Sequence, residues 1–136
     1  MNKIFFATVL SIVVMSCTMN RNASSDSGLL LNKKWTLTGW GKNNDALPAT
    51  MKEVFIQFET DRVNGQSGCN NYFGSYTVKG STITFGKLGS TMMACNEESM
   101  AMERKFHDAL EKANKFMVEN NVLKLYQDKE LIAQFK

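Results

Sequence analysis

Short segments in which apolar and polar residues alternate follow one another from position 34 to the end of the chain. In each segment the apolar side chains recur at every second residue, which is typical of a strand with one buried face. Turn-forming residues such as Gly80 and Asn120 separate the segments, and no proline interrupts them between positions 65 and 95. The predicted strands are Lys34–Gly39, Val54–Glu59, Arg62–Gly65, Ser75–Lys79, Thr82–Phe85, Phe116–Glu119, Val122–Tyr126 and Glu130–Phe135.

One segment has a different period. Between positions 97 and 113 the apolar residues recur at helical spacing, with charged residues on the remaining faces. Asn96 is a suitable N-cap, and the helix dipole favours the negative charge of Glu97 and Glu98 in the first turn. We therefore predict a helix from about Glu97 to Ala113. Its apolar stripe consists of Met102, Phe106, Ala109, Leu110 and Ala113.

The order of these elements indicates the fold class. Strands come before and after a single helix, and the sequence shows no internal repeat. A chain of 136 residues has the length of one domain. We predict an α+β fold that is mostly antiparallel β, with a barrel-like curved sheet and one α-helix packed across it.

Residues 1–17 have the pattern of a bacterial lipoprotein signal peptide. Lys3 supplies the positive start, and the apolar run Ile4–Met15 is shorter than the ~20 residues that a membrane-spanning helix needs. The sequence Val14-Met15-Ser16-Cys17 resembles a lipobox, which implies cleavage before Cys17 and a lipid on its sulfur. The alternative is an ordinary secretory signal in which Cys17 is incidental.

These patterns divide the chain into a signal peptide at 1–16, a flexible tether at 17–32 and one folded domain at 33–136. The residue after Cys17 is Thr18 and not an acidic residue, so we expect the lipid to hold the protein in the outer membrane, facing the periplasm. The formal charge of +3 is spread along the chain and forms no basic stripe. We therefore expect no nucleic-acid partner.

The three cysteines bear on both disulfide and metal chemistry. If a lipid occupies Cys17, then Cys69 and Cys95 remain, and an oxidising compartment favours a disulfide between them. Three alternatives stay open: a redox pair without a C-x-x-C motif, a zinc site that adds His107, and catalysis with His107 as a base. The prediction is a structural disulfide with no metal, no cofactor and no catalytic residue.

Two short motifs surround the predicted disulfide cysteines. Gly68-Cys69-Asn70 follows the third strand, and Thr91-Met92-Met93-Ala94-Cys95 precedes the helix. Together with Trp35 and the segment Leu123–Tyr126, they resemble the META/HslJ domain family over nearly all of residues 33–136. The resemblance implies a compact domain of antiparallel strands and one helix, a place in the bacterial envelope, and a link to heat or drug tolerance. It implies no catalytic mechanism. The motif residues are Gly68, Cys69, Asn70, Thr91, Met92, Ala94 and Cys95.

Asparagine and methionine residues near these motifs have more than one interpretation. Asn70 and Asn71 are interpreted as turn residues whose side chains bond nearby backbone groups, and a ligand rim is the alternative. The methionines, which include Met92 and Met93, are interpreted as adaptable core packing. They also permit an apolar groove between helix and sheet that accepts a lipid tail or an amphipathic segment.

We therefore expect a monomeric, non-enzymatic lipoprotein that supports stress tolerance by binding a protein or an apolar ligand. Its contact with the membrane is expected to be through the N-terminal lipid. The alternative is a structural or inhibitory module that contacts a partner through its outer surface and has no ligand groove.

Overall fold

The computed structural model describes residues 27–48 and 52–136. The predicted signal peptide, the lipidation site Cys17 and the first part of the predicted tether lie outside the described residues. Within them the chain forms nine strands and one α-helix, preceded by a single 3₁₀ turn at Ser27–Leu29. In chain order the elements are β1 (Lys34–Trp40), β2 (Phe55–Phe58), β3 (Arg62–Gln66), β4 (Asn71–Lys79), β5 (Thr82–Phe85), β6 (Gly89–Ser90), α1 (Glu97–Lys112), β7 (Lys115–Glu119), β8 (Val122–Gln127) and β9 (Glu130–Phe135).

Eight of the strands close into an antiparallel barrel. The order around it is β4-β3-β2-β1-β9-β8-β7-β5, and β5 pairs again with β4. The closure is thinnest between β5 and β7, where Thr82 opposite Lys115 is the one paired position. A hydrogen bond from the Ile83 N–H to the Asn114 carbonyl extends this seam at 3.2 Å. The predicted fold class, a mostly antiparallel barrel-like sheet with one helix, is confirmed.

Side chains fill the interior of the barrel. Trp35 and Leu37 of β1 point inward, and so do Ile56 and Phe58 of β2, because their alternation matches the pleat. A barrel of eight strands is just wide enough for side chains to occupy its centre. The large side chains that are less than 2 % exposed include Trp35, Tyr72, Phe58, Phe106, Phe135, Leu30, Ile56, Ile83, Leu110, Leu123, Leu125 and Val54.

Helix α1 packs its apolar stripe onto this core. The Asn96 side chain accepts a hydrogen bond from the Ser99 N–H at 2.9 Å, which confirms the predicted N-cap. The helix ends at Lys112, one residue before the predicted end, and Ala113 is its C-cap. The Phe106 ring lies 5.3 Å from the Tyr72 ring, between centroids. Burying an aromatic side chain of this size contributes about 1.5–3 kcal/mol to stability.

The predicted turns occur where the left-handed backbone is needed. Asn120 and Asn121 join β7 to β8 with φ values of 50° and 64°. Gly80 has φ of 60° between β4 and β5, and Asp128 has φ of 56° between β8 and β9. Asparagine, aspartate and glycine are the residues that adopt this region most readily.

Gly65 lies in β3 because its neighbours leave no room for a side chain. A Cβ at this position would lie 2.0 Å from the Phe55 carbonyl oxygen and 2.9 Å from the Tyr72 ring. The Tyr72 hydroxyl crosses above it to donate a hydrogen bond to that same Phe55 oxygen at 3.2 Å. The backbone of β3 therefore passes close to Phe55 and Tyr72 at Gly65.

Three features of the chain differ from the expectation by more than one residue. Strand β4 begins at Asn71, four residues before the predicted start, so Asn71 lies in a strand and not in a turn. Leu30 is fully buried, its carbonyl accepts a hydrogen bond from the Trp35 indole at 3.1 Å, and Leu31 pairs with Phe58. The packed chain thus begins before residue 33, and the predicted tether boundary falls too late. The short strand β6 was not predicted either, because Gly89 and Ser90 carry no apolar pattern.

None of the helices within residues 27–48 and 52–136 is long and apolar enough to span a lipid bilayer.

Candidate functional site

The motif residues meet at one end of the barrel. Three segments converge there: the turn Ser67–Asn70 between β3 and β4, the segment Thr91–Cys95 after β6, and the first turns of α1. We call Ser67, Cys69, Asn70, Cys95 and Glu103 the rim clamp, because their contacts join these three segments.

A disulfide between Cys69 and Cys95 forms the covalent part of the rim clamp. The two Cα atoms are 5.8 Å apart, and Cys69 is fully buried. The pairing is the one that the cysteine count predicted. Because each sulfur is bonded to the other, neither is available here as a zinc ligand beside His107 or as a nucleophile. Within the described residues no group of three or more His, Cys, Asp or Glu side chains is placed to hold a metal ion.

Asn70 supplies the polar part of the rim clamp. Its Oδ1 accepts hydrogen bonds from the Thr91 hydroxyl at 2.8 Å and from the Met93 N–H at 2.7 Å. Its Nδ2 donates to the Met93 carbonyl at 3.3 Å and to the Glu103 carboxylate at 3.2 Å. The predicted role in local turn chemistry is therefore wrong for this side chain, which is buried and bonds residues more than 20 positions away.

Glu103 connects the helix to the turn. Its Oε2 accepts hydrogen bonds from the Asn70 N–H at 2.7 Å and from the Ser67 hydroxyl at 3.1 Å. The sequence pattern placed Glu103 among the charged residues on the outer faces of the helix and did not single out Ser67. No local signal marks either residue, because their partners lie on a different element of the fold.

Gly68 permits the helix to approach the turn. Its φ is 115°, and a Cβ there would lie 3.2 Å from both the Met102 Cγ and the Ser99 carbonyl oxygen. The Gly-Cys-Asn motif is thus explained residue by residue: close approach, covalent bond and hydrogen-bonding hub.

The rim clamp holds an exposed apolar segment, Thr91–Ala94, which we call the methionine loop. Met92 is 96 % exposed and Met93 is 49 % exposed, although Asn70 bonds both backbone polar groups of Met93. The predicted core-packing role is therefore wrong for these two methionines, while Met102 does lie in the core. Phe73, on the strand that pairs with β6, is also exposed, at 55 %.

A cleft of about 400 Å³, which we call the edge cleft, separates the β5–β6 segment from α1. Phe85, Gly86, Lys87 and Leu88 form one wall, and His107 and Glu111 form the other.

His107 lies between the edge cleft and the core. Its ring packs at a steep angle against the Tyr72 ring, with centroids 5.7 Å apart, and its Nε2 is buried without a hydrogen-bond partner among the described residues. Burial lowers the pKa of His107 below its ordinary value of 6.5, and the Glu103 carboxylate partly opposes this shift. His107 therefore occupies a partly buried packing position.

We predict that Asn70→Ala lowers the free energy of unfolding by about 2–4 kcal/mol, because it removes the side-chain partner of the Met93 N–H and of the Glu103 Oε1. Urea denaturation at pH 7.5 measures the loss. Asn71→Ala is the matched control, since this neighbouring side chain is exposed, and we expect a change within about 0.5 kcal/mol. If both substitutions lowered the free energy of unfolding equally, the Asn70 hydrogen bonds would not be the interaction that stabilises this end of the barrel.

We predict that stability declines as the pH falls below 6.5. The unfolded chain binds a proton at His107 more readily than the folded chain, because the folded pKa is lowered. This stability is therefore present above pH 6.5 and is lost as the pH falls through the folded pKa. Urea denaturation of the parent protein and of His107→Gln between pH 7.5 and 5.5 tests this, and the variant should show a shallower decline. A parallel decline in both proteins would contradict the assignment.

Comparison with known proteins agrees with this architecture. The chain matches the META domain over residues 28–136. No curated protein matches it significantly.

Three solved structures share the fold. An NMR structure of a protein from Burkholderia xenovorans is 27 % identical, with a TM-score of 0.67, over 80 % of this chain and 83 % of the other. A second NMR structure is 18 % identical, with a TM-score of 0.62, over 79 % and 92 %. A crystal structure of a DUF4847 family protein from Bacteroides vulgatus ATCC 8482 is 15 % identical, with a TM-score of 0.58, over 79 % and 94 %. With the META match covering most of its length, the chain belongs to the META domain family.

Proposed function

We propose that this META protein is a lipid-anchored, non-enzymatic binding protein of the bacterial envelope that contacts a partner protein through the surface around the methionine loop. The stress-tolerance role that the family resemblance implies belongs to the same proposal. The observation that carries it is a rim clamp, built around the motif residues Cys69, Asn70 and Cys95, beside which Met92 is exposed to solvent.

The packed interior supports a surface contact over an internal ligand. Phe106 and Leu110 of α1 are buried against barrel residues such as Tyr72 and Phe135, so side chains occupy the space beneath the helix. A groove for a lipid tail would need that space. The second of the two functions expected from the sequence, a module that binds through its outer surface, is therefore favoured.

The rim clamp also prepares the methionine loop for binding. A loop that is already ordered loses little conformational entropy when a partner arrives, so more of the contact energy appears as affinity. Methionine is enriched in protein interfaces, because its flexible thioether adapts to the opposing surface. The disulfide and the Asn70 hydrogen bonds provide this order on both sides of Met92.

The position of the chain entry favours a protein partner over the bilayer. Leu31 pairs with Phe58 at the end of β2, whereas Phe55 at the start of β2 pairs with Gln66, immediately before the rim clamp. Leu31 and the rim clamp therefore lie at opposite ends of β2. The described chain enters the barrel at the end opposite the methionine loop, so attachment through residues before Ser27 leaves this loop free to contact a protein partner.

The anchor predicts a modified N-terminus. Mass spectrometry of protein extracted from membranes should find Cys17 as the first residue, carrying a diacylglycerol thioether and, after full processing, an amide-linked acyl chain. Cys17→Ser should abolish both and release the protein from the membrane fraction. An unmodified chain that begins elsewhere would contradict anchoring and leave the partner contact to be judged by itself.

The partner contact predicts position-dependent crosslinking. A photoreactive amino acid at position 92 should trap one discrete protein in intact cells, because that side chain lies outside the fold. The matched control is the same amino acid at the exposed Gln127, at the end of β8. An adduct at both positions, or at neither, would contradict the proposed surface.

A further inference from the structure

We propose that the edge cleft binds an extended peptide segment of the partner protein, which adds to the open edge of β6 as another strand. This inference rests on the proposed function and specifies its mode of recognition. It assigns a role to β6, which pairs on one side with β4 and on the other with no described strand.

The open edge follows from the strand order. Among the described residues, the eight strands of the barrel each have a neighbour on both sides, whereas β6 pairs with β4 alone. Closed barrels normally leave no such edge. A free edge of this kind is the surface to which extended peptides add by backbone hydrogen bonds.

The register shows which backbone groups face outward. The Thr91 N–H donates to the Asn71 carbonyl at 3.0 Å, so these two residues form a hydrogen-bonded pair. Antiparallel ladders alternate between hydrogen-bonded and non-hydrogen-bonded pairs, which makes Ser90 and Tyr72 a non-hydrogen-bonded pair. The N–H and C=O of Ser90 therefore point away from β4, toward the open side.

The segment between β5 and β6 widens this edge into a cleft. The Gly86 N–H still bonds the Ser75 carbonyl at 2.8 Å, but the chain then leaves the ladder until Gly89. The Leu88 side chain fills the space beside Gly74, where a Cβ would lie 2.6 Å from it. Phe85 and Leu88 thus offer apolar surface to one side chain of a bound segment, facing His107 on the helix.

The shape of the edge cleft determines the kind of occupant. Helix α1 forms the wall opposite residues 85–88, the segment that leads directly into β6, so the cleft is too narrow for a second folded sheet beside the helix. A single extended segment does not have this difficulty. A volume of about 400 Å³ lies within the range of ligand sites and suits a few extended residues.

Charge complementarity narrows the sequence of the segment. Lys87 on the strand wall and Glu111 on the helix wall form no ion pair with another described residue. A bound segment could place an apolar residue against Phe85 and Leu88. An acidic residue on one side of it would then pair with Lys87, and a basic residue on the other side with Glu111. We therefore assign the site to an extended peptide of mixed charge around an apolar centre.

The test uses full-length protein purified from membranes in detergent, and a library of random decapeptides displayed on phage. We expect enrichment of sequences with an apolar residue between opposite charges. Affinity for a selected synthetic peptide should fall about tenfold or more in Ser90→Pro, which removes one outward N–H without breaking a bond to β4. Ser90→Ala is the matched control and should bind like the parent protein.

A charge reversal gives a readout that a structural role would not move. Glu111→Lys should change the selected peptides from a basic to an acidic residue at one position, because it reverses the charge of one wall. Circular dichroism and thermal unfolding establish that each variant is folded. If Ser90→Pro does not fold, the reversal at Glu111, an exposed residue, decides the question.

Several results would overturn the inference. They are the absence of any enriched peptide, binding that neither Ser90→Pro nor Glu111→Lys alters, and competition by a synthetic peptide of residues 17–26, which would make the occupant part of this chain. Self-association in sedimentation experiments that Ser90→Pro abolishes would identify a second copy instead. Crosslinking at position 92 is measured separately, so a partner trapped there without peptide binding refutes the edge cleft and leaves the proposed function in place.

Discussion

The amide of Asn70 is the interaction on which this end of the molecule depends. It bonds the backbone of Met93, the hydroxyl of Thr91 and the carboxylate of Glu103, and so joins a turn, a loop and a helix. These hydrogen bonds are partly buried, so loss of the amide leaves several polar groups without that partner at once. The adjacent disulfide holds the same segments by a covalent bond. The Asn70 hydrogen bonds and the disulfide therefore hold the turn and the loop together by two different kinds of bond.

This geometry separates two roles that sequence patterns do not distinguish. The motif residues Cys69, Asn70 and Cys95 are structural, since Asn70 bonds Met93 and Glu103 and the two cysteines are bonded together. Met92, another motif residue, remains exposed and available to other molecules. Most of the family motif thus supports the methionine loop, and the exposed surface of that loop is the candidate site. The packed barrel behind it provides a rigid base.

Local patterns were sufficient for most of the fold and insufficient for the site. The helix and strands follow from periods of 3.6 and 2, which neighbouring residues determine, so α1 was predicted to within one residue. Glu103 and β6 could not be found in this way, because the partner of Glu103 lies 33 positions earlier and β6 exists through its pairing with β4. Met92 is exposed although methionine is usually buried, and the residues on both sides of it are held by bonds to the rim clamp.

The thin seam between β5 and β7 has a consequence for how the cylinder opens. Asn114, immediately after the helix, accepts the Ile83 N–H, donates its own N–H to the Tyr126 carbonyl, and exchanges two side-chain hydrogen bonds with Asp128. The Phe116 N–H also donates to the Ser81 carbonyl at 3.0 Å, so Asn114 supplies one of the two backbone hydrogen bonds that flank the Thr82–Lys115 pair. The strands before and after the helix therefore meet at two seams, a longer one between β1 and β9 and this short one, and we expect the short seam to open more readily.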